Sequence, residues 1–234
     1  MNVYYLNNFP ETINSKEDSE IIVITSVINP TNVQSTFTSE ERLNQTLLGI
    51  SSVKKYIPHA IIILAELTEL SNEQIDLLKK SVDYVILLVD DVICQTYGIS
   101  NKSIGEALML NSVCQKIKSF PFKRFYKMSG RYICSDNFDL KEFQKDKMVF
   151  KIGHHDKQCY ITVFYSIPKN LFELYILSLG HSRNYMDIEH GLYYSIPNEC
   201  VSPIEAVNCE GYLGGGKNSN GKLALWKNGS CTEV

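Results

Sequence analysis

The fold class of this chain is decided by the stretch Glu20-Ile-Ile-Val-Ile-Thr-Ser-Val-Ile28, which Asn29-Pro30 ends. The stretch is apolar and β-branched at most positions. A strand with one solvated face would instead alternate apolar and polar residues. Continuous apolar runs of this kind are typical of strands that are buried on both faces. The stretch therefore predicts a central strand of a parallel sheet with helices on both sides.

Helices and further strands follow this strand in alternation. Thr38-Ser-Glu-Glu41 is a capping-box pattern, and apolar residues at spacings of three and four follow it as far as Ile57, which predicts an amphipathic helix. The next predicted elements are a strand at 59–65, a helix at 71–80, a strand at 83–89, a helix at 101–118 and a strand at 124–128. Strands that alternate with helices predict parallel βαβ units.

The second half of the chain has a different texture. Short strands are predicted at 148–152 and 160–165, and helices at 168–179 and 187–196, without a repeating order. This half is therefore expected to be α+β. The glycine-rich segment beyond residue 210 is expected either to be flexible or to lie over a ligand, and composition does not choose between these two.

Composition excludes several classes of protein. The 234 residues include 23 Lys+Arg against 26 Asp+Glu, and a net charge of −3 argues against a nucleic-acid partner. The longest apolar runs fall far short of the roughly 18 residues that a membrane span needs, and no signal peptide is indicated. The seven cysteines are widely spaced without a C-x-x-C pair, which is typical of reduced thiols. We therefore expect a cytoplasmic protein without a membrane span.

Common nucleotide and hydrolase motifs are absent from the sequence. It contains no G-x-G-x-x-G after the first strand, no G-x-x-x-x-G-K-[ST] and no G-x-S-x-G. In an open α/β sheet the ligand lies beyond the carboxyl ends of the parallel strands. The segments at these ends are 25–29, 66–69, 90–91 and 129–136.

Three features of the sequence resemble those of a known family. They are the Ser/Thr-rich end of the first strand, the helix start Asn101-Lys-Ser-Ile-Gly-Glu-Ala107, and the strand-turn Lys127-Met-Ser-Gly-Arg-Tyr132. Together they resemble glycosyltransferases of the GT-A fold, and the turn is similar to one in small bacterial and large-DNA-virus transferase-like proteins. In element order the resemblance covers residues 20–195.

The resemblance implies a fold and an activity. The fold is a single GT-A-like domain over 1–234 with a Rossmann-like, mostly parallel sheet flanked by helices. Residues 20–132 would form the nucleotide-sugar-binding half and 133–234 the acceptor and catalytic half. The activity is that of an enzyme that moves a monosaccharide from a nucleotide-sugar donor to a hydroxyl of a glycan or glycoconjugate acceptor.

The resemblance also implies a set of donor-binding residues. The residues Thr25, Ser26 and Val27 would border the base and the ribose, and Glu66 or Asp91 would hold ribose or base groups. The diphosphate would be held by Lys102 and Arg131. The remaining donor-binding residues, beside the diphosphate site, would be Glu106, Ser129 and Gly130. Structural alternatives stay open for several of them. Glu106 stands three residues after Ser103 and could complete a capping box, and Arg131 could form an ion pair with Glu66 or with an aspartate.

The place of the metal site departs from the family pattern. Most members carry an Asp-x-Asp pair that holds a divalent metal on the donor diphosphate, and this chain has Ser129-Gly130-Arg131 there. A guanidinium can bind phosphate oxygens bidentately, so metal-independent donor binding is one interpretation. The other is that Mn²⁺ or Mg²⁺ is held elsewhere. The candidate ligands for it are Asp136, Asp90, Asp91 and His190.

The segment Asp187-Ile-Glu-His190 opens the last predicted helix. An inverting transferase needs a carboxylate that removes the proton of the acceptor hydroxyl. The resemblance assigns this role to Glu189 first and Asp187 second, although both could be first-turn acids favoured by the helix dipole. Two other functions stay open: a non-catalytic nucleotide-sugar or glycan-binding module, and a nucleotidyltransferase on a similar sheet, which would need paired carboxylates for two metals.

Overall fold

The structure is a computed structural model that describes residues 3–30, 35–98, 101–153, 156–182, 184, 187–217, 223–227 and 230–233, without the side chains of 102, 213–217, 223–224 and 230–233. The α-helices are α1 (Ser39–Tyr56), α2 (Asn72–Leu78), α3 (Lys102–Ile117), α4 (Phe172–Ser182) and α5 (Ile188–Ser195). The strands are β1 (Val3–Tyr5), β2 (Glu20–Ser26), β3 (Ile61–Glu66), β4 (Tyr84–Leu87), β5 (Arg124–Ser129), β6 (Tyr132–Cys134), β7 (Met148–Ile152), β8 (Tyr160–Pro168), β9 (Val201–Ile204), β10 (Cys209–Lys217), β11 (Leu223–Lys227) and β12 (Ser230–Glu233).

The larger sheet has eight strands in the order β1-β4-β3-β2-β5-β8-β7-β9. The strands β1, β4, β3, β2 and β5 run parallel, β8 pairs antiparallel with both β5 and β7, and β9 runs parallel to β7. The predicted fold class, a mostly parallel sheet flanked by helices, is confirmed. Strand β2 lies inside the sheet between β3 and β5, as its apolar sequence predicts.

The two faces of β2 belong to two different hydrophobic cores. Ile21 and Val23 pack in a core with α3, α4 and α5, whereas Ile22 and Ile24 pack in the other core with α1 and α2. All four of these side chains are fully buried, and β-branched residues are favoured at such buried positions of a strand. The polar ends of β2 and β5 extend past these cores, at the carboxyl edge of the sheet.

The described residues of the glycine-rich segment form strands, so this part of the segment is not irregular, whereas the first of the two predictions was a flexible segment. Gly221 lies outside the described residues. Strands β12, β11, β10 and β6 form a second, four-stranded sheet in this order. Strand β10 pairs antiparallel with β6, which follows β5 directly. Glycine is required at Gly211, since a Cβ there would lie 2.5 Å from the Arg131 carbonyl oxygen. The late chain thus packs against the turn that contains Arg131.

Short elements were not predicted from the sequence. Strand β1 is a three-residue edge strand in a segment whose composition is polar, and residues Cys94–Gly98 form one π-helical turn after β4. Among the described residues no helix is long and apolar enough to cross a membrane. The cysteines seen as free thiols are Cys94, Cys114, Cys134, Cys159, Cys200 and Cys209.

Candidate active site

A buried polar cluster lies at the carboxyl edge of β2 and β5, beneath α3. Thr25 and Ser129 are partners in the parallel register of these strands, and Lys127 lies two residues before Ser129. Glu106 of α3 reaches this group: its Oε1 accepts hydrogen bonds from Thr25 Oγ1 at 2.6 Å and Ser129 Oγ at 3.0 Å. The ammonium of Lys127 lies 2.7 Å from the same oxygen. Three elements therefore meet at one carboxylate.

Lys127 is fully buried, and its ammonium has three partners. Besides Glu106, Nζ donates to Ser129 Oγ at 2.7 Å and to the Thr162 carbonyl oxygen at 2.5 Å. Burial lowers the pKa of Lys127 against the opposing effect of Glu106. Burial likewise acts to raise the pKa of Glu106, but the Lys127 charge and the hydrogen bonds hold that pKa below its ordinary value. Each buried charge thus depends on the other, because an unpaired one would be costly.

Glu189 belongs to the first turn of α5 and faces the same cluster. Its Oε1 accepts from Thr162 Oγ1 at 2.8 Å, and its Oε2 accepts from Ser103 Oγ at 2.9 Å. Burial, followed by the negative charge of Glu106, raises the pKa of Glu189. A half-buried carboxyl group whose partners are hydroxyls, and whose pKa is shifted toward neutrality, is suited to accept a proton from a bound hydroxyl.

Asp187 has different partners from Glu189. It is the N-cap of α5, and its Oδ1 accepts from the His190 backbone N–H at 2.8 Å. Its carboxylate also lies 2.7 Å from His190 Nδ1, while His190 Nε2 lies 2.7 Å from Asp156. Hydrogen bonds that the His190 ring donates to Asp156 and Asp187 raise its pKa. The structure thus brings Glu189 to the polar cluster and engages Asp187 in capping and in holding the imidazole.

Arg131 lies in the turn between β5 and β6. The turn is tight, since the Gly130 N–H donates to the Thr25 carbonyl oxygen at 2.8 Å, and a Cβ on Gly130 would lie 3.0 Å from that oxygen. In the described part of the chain Arg131 forms no salt bridge, and its buried Nε has no hydrogen-bond partner. The ion pair with Glu66 that the sequence left open is therefore not formed.

Glu66 braces the loop that follows β2. Its Oε1 accepts from the Ile28 backbone N–H at 3.0 Å, from the Thr68 N–H at 2.9 Å and from the Thr68 hydroxyl. Burial raises the pKa of Glu66, and its Oε2 is buried without a partner among the described residues. Ser26 lies 3.3 Å from Thr46 Oγ1, and Val27 is exposed. These residues border the cluster without contacting Glu106.

The three aspartates considered as metal ligands lie apart, each with its own partners. Asp91 accepts from the Cys94 N–H at 3.0 Å and from Ser112 Oγ at 2.6 Å, which fixes the π-helical turn. Asp90 accepts from the Asn7 N–H at 3.3 Å. Asp136 forms an exposed 3.1 Å ion pair with Lys55 on α1, on the other face of the sheet. The Lys102 side chain, His154, His155 and Arg183 lie outside the described residues.

The residues at the Asp-x-Asp place do not fit Mn²⁺ or Mg²⁺. The Ser129 hydroxyl is engaged by Glu106 and Lys127, Gly130 has no side chain, and Arg131 is itself a cation, whereas these ions require oxygen ligands. Within the described residues a different group has ligand atoms within 4.8 Å of one another. It consists of Asp156, Cys159 and His190. Its mixed oxygen, sulfur and nitrogen donors suit a softer ion such as Zn²⁺.

Sequence reasoning missed several members of the cluster. Lys127 had a detectable signal, because strand periodicity places it on the same face as Phe125 and Ser129, and a lysine on a buried face needs an acidic partner. Ser103 and Thr162 had no such signal. Their contacts with Glu189 depend on how α3, β8 and α5 pack together.

A surface cavity of about 580 Å³ opens at the opposite, amino edge of the sheet. Its lining includes His59, Asp83 and Tyr84. Asp83 accepts a hydrogen bond from the Ile62 N–H at 2.8 Å, so its carboxylate anchors the start of β3. The cavity lies away from the polar cluster and contributes no residue to it.

No protein-family model matches the chain, and no curated protein matches it in sequence. The solved structures to which it is similar include a candidate nucleotide-diphospho-sugar transferase from Desulfovibrio desulfuricans, with a TM-score of 0.49, 8% identity and coverage of 81% of this chain and 80% of that one. A second is core-mannan synthase A from Aspergillus fumigatus in a Mn/GDP form, with a TM-score of 0.47, 7% identity and coverage of 99% and 83%.

A third is 4-diphosphocytidyl-2C-methyl-D-erythritol synthase from Anaerococcus prevotii, with a TM-score of 0.46, 14% identity and coverage of 80% and 87%. The three TM-scores are below 0.5 and the identities are low, so these likenesses assign neither a substrate nor a residue role. By their names, these three similar structures are a nucleotide-diphospho-sugar transferase, a mannan synthase and a diphosphocytidyl-methylerythritol synthase.

Proposed function

We propose that this protein is a cytoplasmic glycosyltransferase that moves a monosaccharide from a nucleotide-sugar donor to a hydroxyl of a glycan or glycoconjugate acceptor. The observation that carries the proposal is the environment of Glu189. This carboxyl group is half-buried at the carboxyl edge of a parallel sheet, and burial raises its pKa. The positive charge of Arg131 is close enough to interact with it, yet Arg131 forms no salt bridge among the described residues. A base beside a cation is what displacement of a diphosphate by a hydroxyl requires.

The proposed reaction is a single displacement. The Glu189 carboxylate takes the proton of the acceptor hydroxyl while the acceptor oxygen forms a bond to the anomeric carbon of the donor sugar. The bond from that carbon to the diphosphate breaks, and the nucleoside diphosphate leaves with the electron pair. Arg131 stabilises the negative charge that develops on the leaving group. Thr162 and Ser103 orient Glu189 through their hydroxyls.

The donor is proposed to lie along the ends of β2, β3 and β5. The segment Thr25–Val27 would border base and ribose, with Glu66 and Asp91 farther along the same edge. Lys102, at the first position of α3, is proposed to contribute to binding of the diphosphate. Glu106, Ser129 and Gly130 would shape the floor beneath the sugar. In this proposal residues 20–132 bind the donor and 133–234 supply the acceptor side and the base.

The proposal is tested by incubating the purified protein with UDP-, GDP-, CMP- and dTDP-sugars in EDTA and, separately, with Mn²⁺. Release of a nucleotide from one donor, lost in Glu189→Gln, is the expected result. Release of pyrophosphate from a nucleoside triphosphate and a sugar phosphate would instead identify a nucleotidyltransferase. Binding of a donor without release of any product would identify a non-catalytic binding module.

A further inference from the structure

Arg42, in the first turn of α1, is a half-buried cation without an acidic partner among the described residues. Its guanidinium donates to Ser35 Oγ at 3.2 and 3.4 Å and to Gln45 Oε1 at 3.3 Å, and these contacts are long and involve neutral acceptors. Its guanidinium carbon lies 4.9 Å from the centre of the Phe37 ring. The Arg42 guanidinium thus contacts the Phe37 ring and two neutral side chains, and none of these contacts neutralises its charge.

The same face of α1 packs against the turn that contains Arg131. Thr46, one helical turn after Arg42, has its Oγ1 3.4 Å from the position of a Cβ on Gly130, and Gly49 lies closer still to the turn, its Cβ position 2.7 Å from the Tyr132 carbonyl oxygen. Residues four positions apart share one face of a helix, so Arg42 lies on the side of α1 that meets the Arg131 turn. Burial, followed by the positive charge of Arg131, lowers the pKa of Arg42 to about 10.

Neither guanidinium forms a salt bridge among the described residues, although the charges of Glu106 and Glu189 act on Arg131 and raise its pKa. The two guanidinium groups repel each other, and an anion bound to both removes this repulsion. Arg131 also has an unpartnered, buried Nε. The surroundings suit a nucleotide in particular. Aromatic rings flank the pair, with Phe37 and Tyr212 5.8 Å apart and the Arg131 guanidinium 5.3 Å from the Tyr132 ring.

We propose that Arg42 and Arg131 together bind the diphosphate of a nucleotide, and that they do so without a metal ion. The assignment of the ligand as a nucleotide rests on the proposed function, whereas the anion site itself rests on the two arginines. Each guanidinium can offer two parallel N–H donors to phosphate oxygens, and two positive charges balance the charge of a diphosphate. The arginine pair thus occupies the role that carboxylates and a divalent ion fill at an Asp-x-Asp motif.

The test is calorimetric titration in EDTA with inorganic pyrophosphate, UDP, GDP and the matching nucleosides. Arg42→Gln and Arg131→Gln are each expected to weaken binding of pyrophosphate and of the nucleoside diphosphate by about 10- to 100-fold. Nucleoside binding by Arg42→Gln is expected to stay within about twofold. Lys54→Gln is the matched control, because it removes one positive charge from an exposed position of the same helix, and it is expected to bind as the wild type does.

Arg42→Lys keeps the charge and loses the fork, so it is expected to bind the diphosphate with intermediate affinity. Pyrophosphate binding that is lost in both glutamine variants supports the arginine site even where no nucleotide binds, and in that case the proposed function fails alone. Binding of diphosphate by the wild type only with Mn²⁺ would overturn the arginine site. Equal affinity of Arg42→Gln and Lys54→Gln for pyrophosphate would overturn it as well.

Discussion

The charged side chains of the candidate site stabilise one another at the scale of single residues. Lys127 holds Glu106 ionised, and burial together with the charge of Glu106 raises the pKa of Glu189. This chain of interactions connects a residue of a buried strand with the proposed base on another element. It also separates the roles of two acids that stand two positions apart in the sequence, Asp187 and Glu189.

Lys127→Met is expected to destabilise the protein by about 3–5 kcal/mol, because it leaves the Glu106 charge buried and unpaired. The double variant Lys127→Met/Glu106→Leu removes both charges and is expected to be clearly more stable than the single variant. Urea denaturation followed by circular dichroism measures both free energies of unfolding. A Lys127→Met protein as stable as the wild type would show that the pair does not stabilise the fold.

Glu189→Gln is expected to lower kcat by about 10²- to 10⁴-fold, the usual contribution of a general base, while the affinity for the donor changes little. Asp187→Asn keeps an N-cap side chain and is expected to lower kcat much less, because Asp187 acts on the position of His190 and of the helix. Steady-state kinetics with the donor found in the screen measure both variants. Greater loss of activity in Asp187→Asn would assign the base to Asp187.

The acidic limb of the pH profile of kcat/KM is expected above the ordinary Glu pKa of about 4.3, since burial and Glu106 raise the pKa of Glu189. Activity requires the ionised carboxylate, so it falls as the pH falls through this raised value. Glu106→Gln removes the neighbouring negative charge and is expected to shift the limb to lower pH. A limb that stays in place in Glu106→Gln would contradict this coupling.

At the scale of elements, helix starts were the most predictable feature. The capping box of α1 is present, with Thr38 accepting from the Glu41 N–H at 3.2 Å and Glu41 accepting from the Thr38 N–H at 2.7 Å. Such caps depend on residues three positions apart, which a sequence displays directly. Strands β6 and β10 were not predicted, because β6 has only three residues, β10 is rich in glycine, and their pairing joins distant segments.

Helix α5 is placed by a close contact with α4. A Cβ on Gly191 would lie 2.6 Å from Ser182, so Gly191→Ala is expected to destabilise the protein by about 1–3 kcal/mol and to reduce activity through displacement of Glu189. Gly180→Ala is the matched control within α4, where the added methyl meets no atom within 4 Å. This control is expected to gain about 0.5–1 kcal/mol from helix propensity.

The Tm of each variant, measured in the presence of donor, shows whether a loss of activity is accompanied by a loss of stability. Gly191→Ala is expected to have a lower Tm and weaker activity, and Gly180→Ala a Tm at or above that of the wild type with full activity. Equal Tm values for the two variants would show that the α4–α5 contact adapts to a methyl group.

At the scale of the whole molecule, the fold could be predicted and most contacts of the site could not. The order of strands and helices follows from local patterns of apolar residues, and the mostly parallel sheet follows from that order. The site, in contrast, joins Thr25, Glu106, Lys127, Thr162 and Glu189 from five elements. The position of Thr25 at the carboxyl edge of the sheet could be predicted from the sequence. The hydrogen-bond partners of Glu189 could not be predicted, because they depend on how α3, β8 and α5 pack together.

Binding of a nucleotide-sugar is expected to stabilise the whole molecule. At about 100 times its dissociation constant a ligand adds roughly 2.7 kcal/mol, which raises the Tm of a chain of this size by about 5–10 °C. Because the residues at the Asp-x-Asp place do not fit a divalent ion, the shift is expected to persist in EDTA. A shift that appears only with Mn²⁺, measured by differential scanning fluorimetry, would contradict metal-independent binding.

The pairing of β6 with β10 has a consequence for biosynthesis. The ribosome releases the Arg131 turn well before it releases Gly211, the residue of β10 that pairs with Tyr132 and lies against the Arg131 carbonyl oxygen. A nascent chain can therefore assemble the parallel sheet before β10, which packs beside the Arg131 turn, has been synthesised. If the proposed nucleotide site is correct, we expect its affinity to be acquired late in translation, and we expect a truncated product that ends before β10 to bind the nucleotide more weakly than the whole chain.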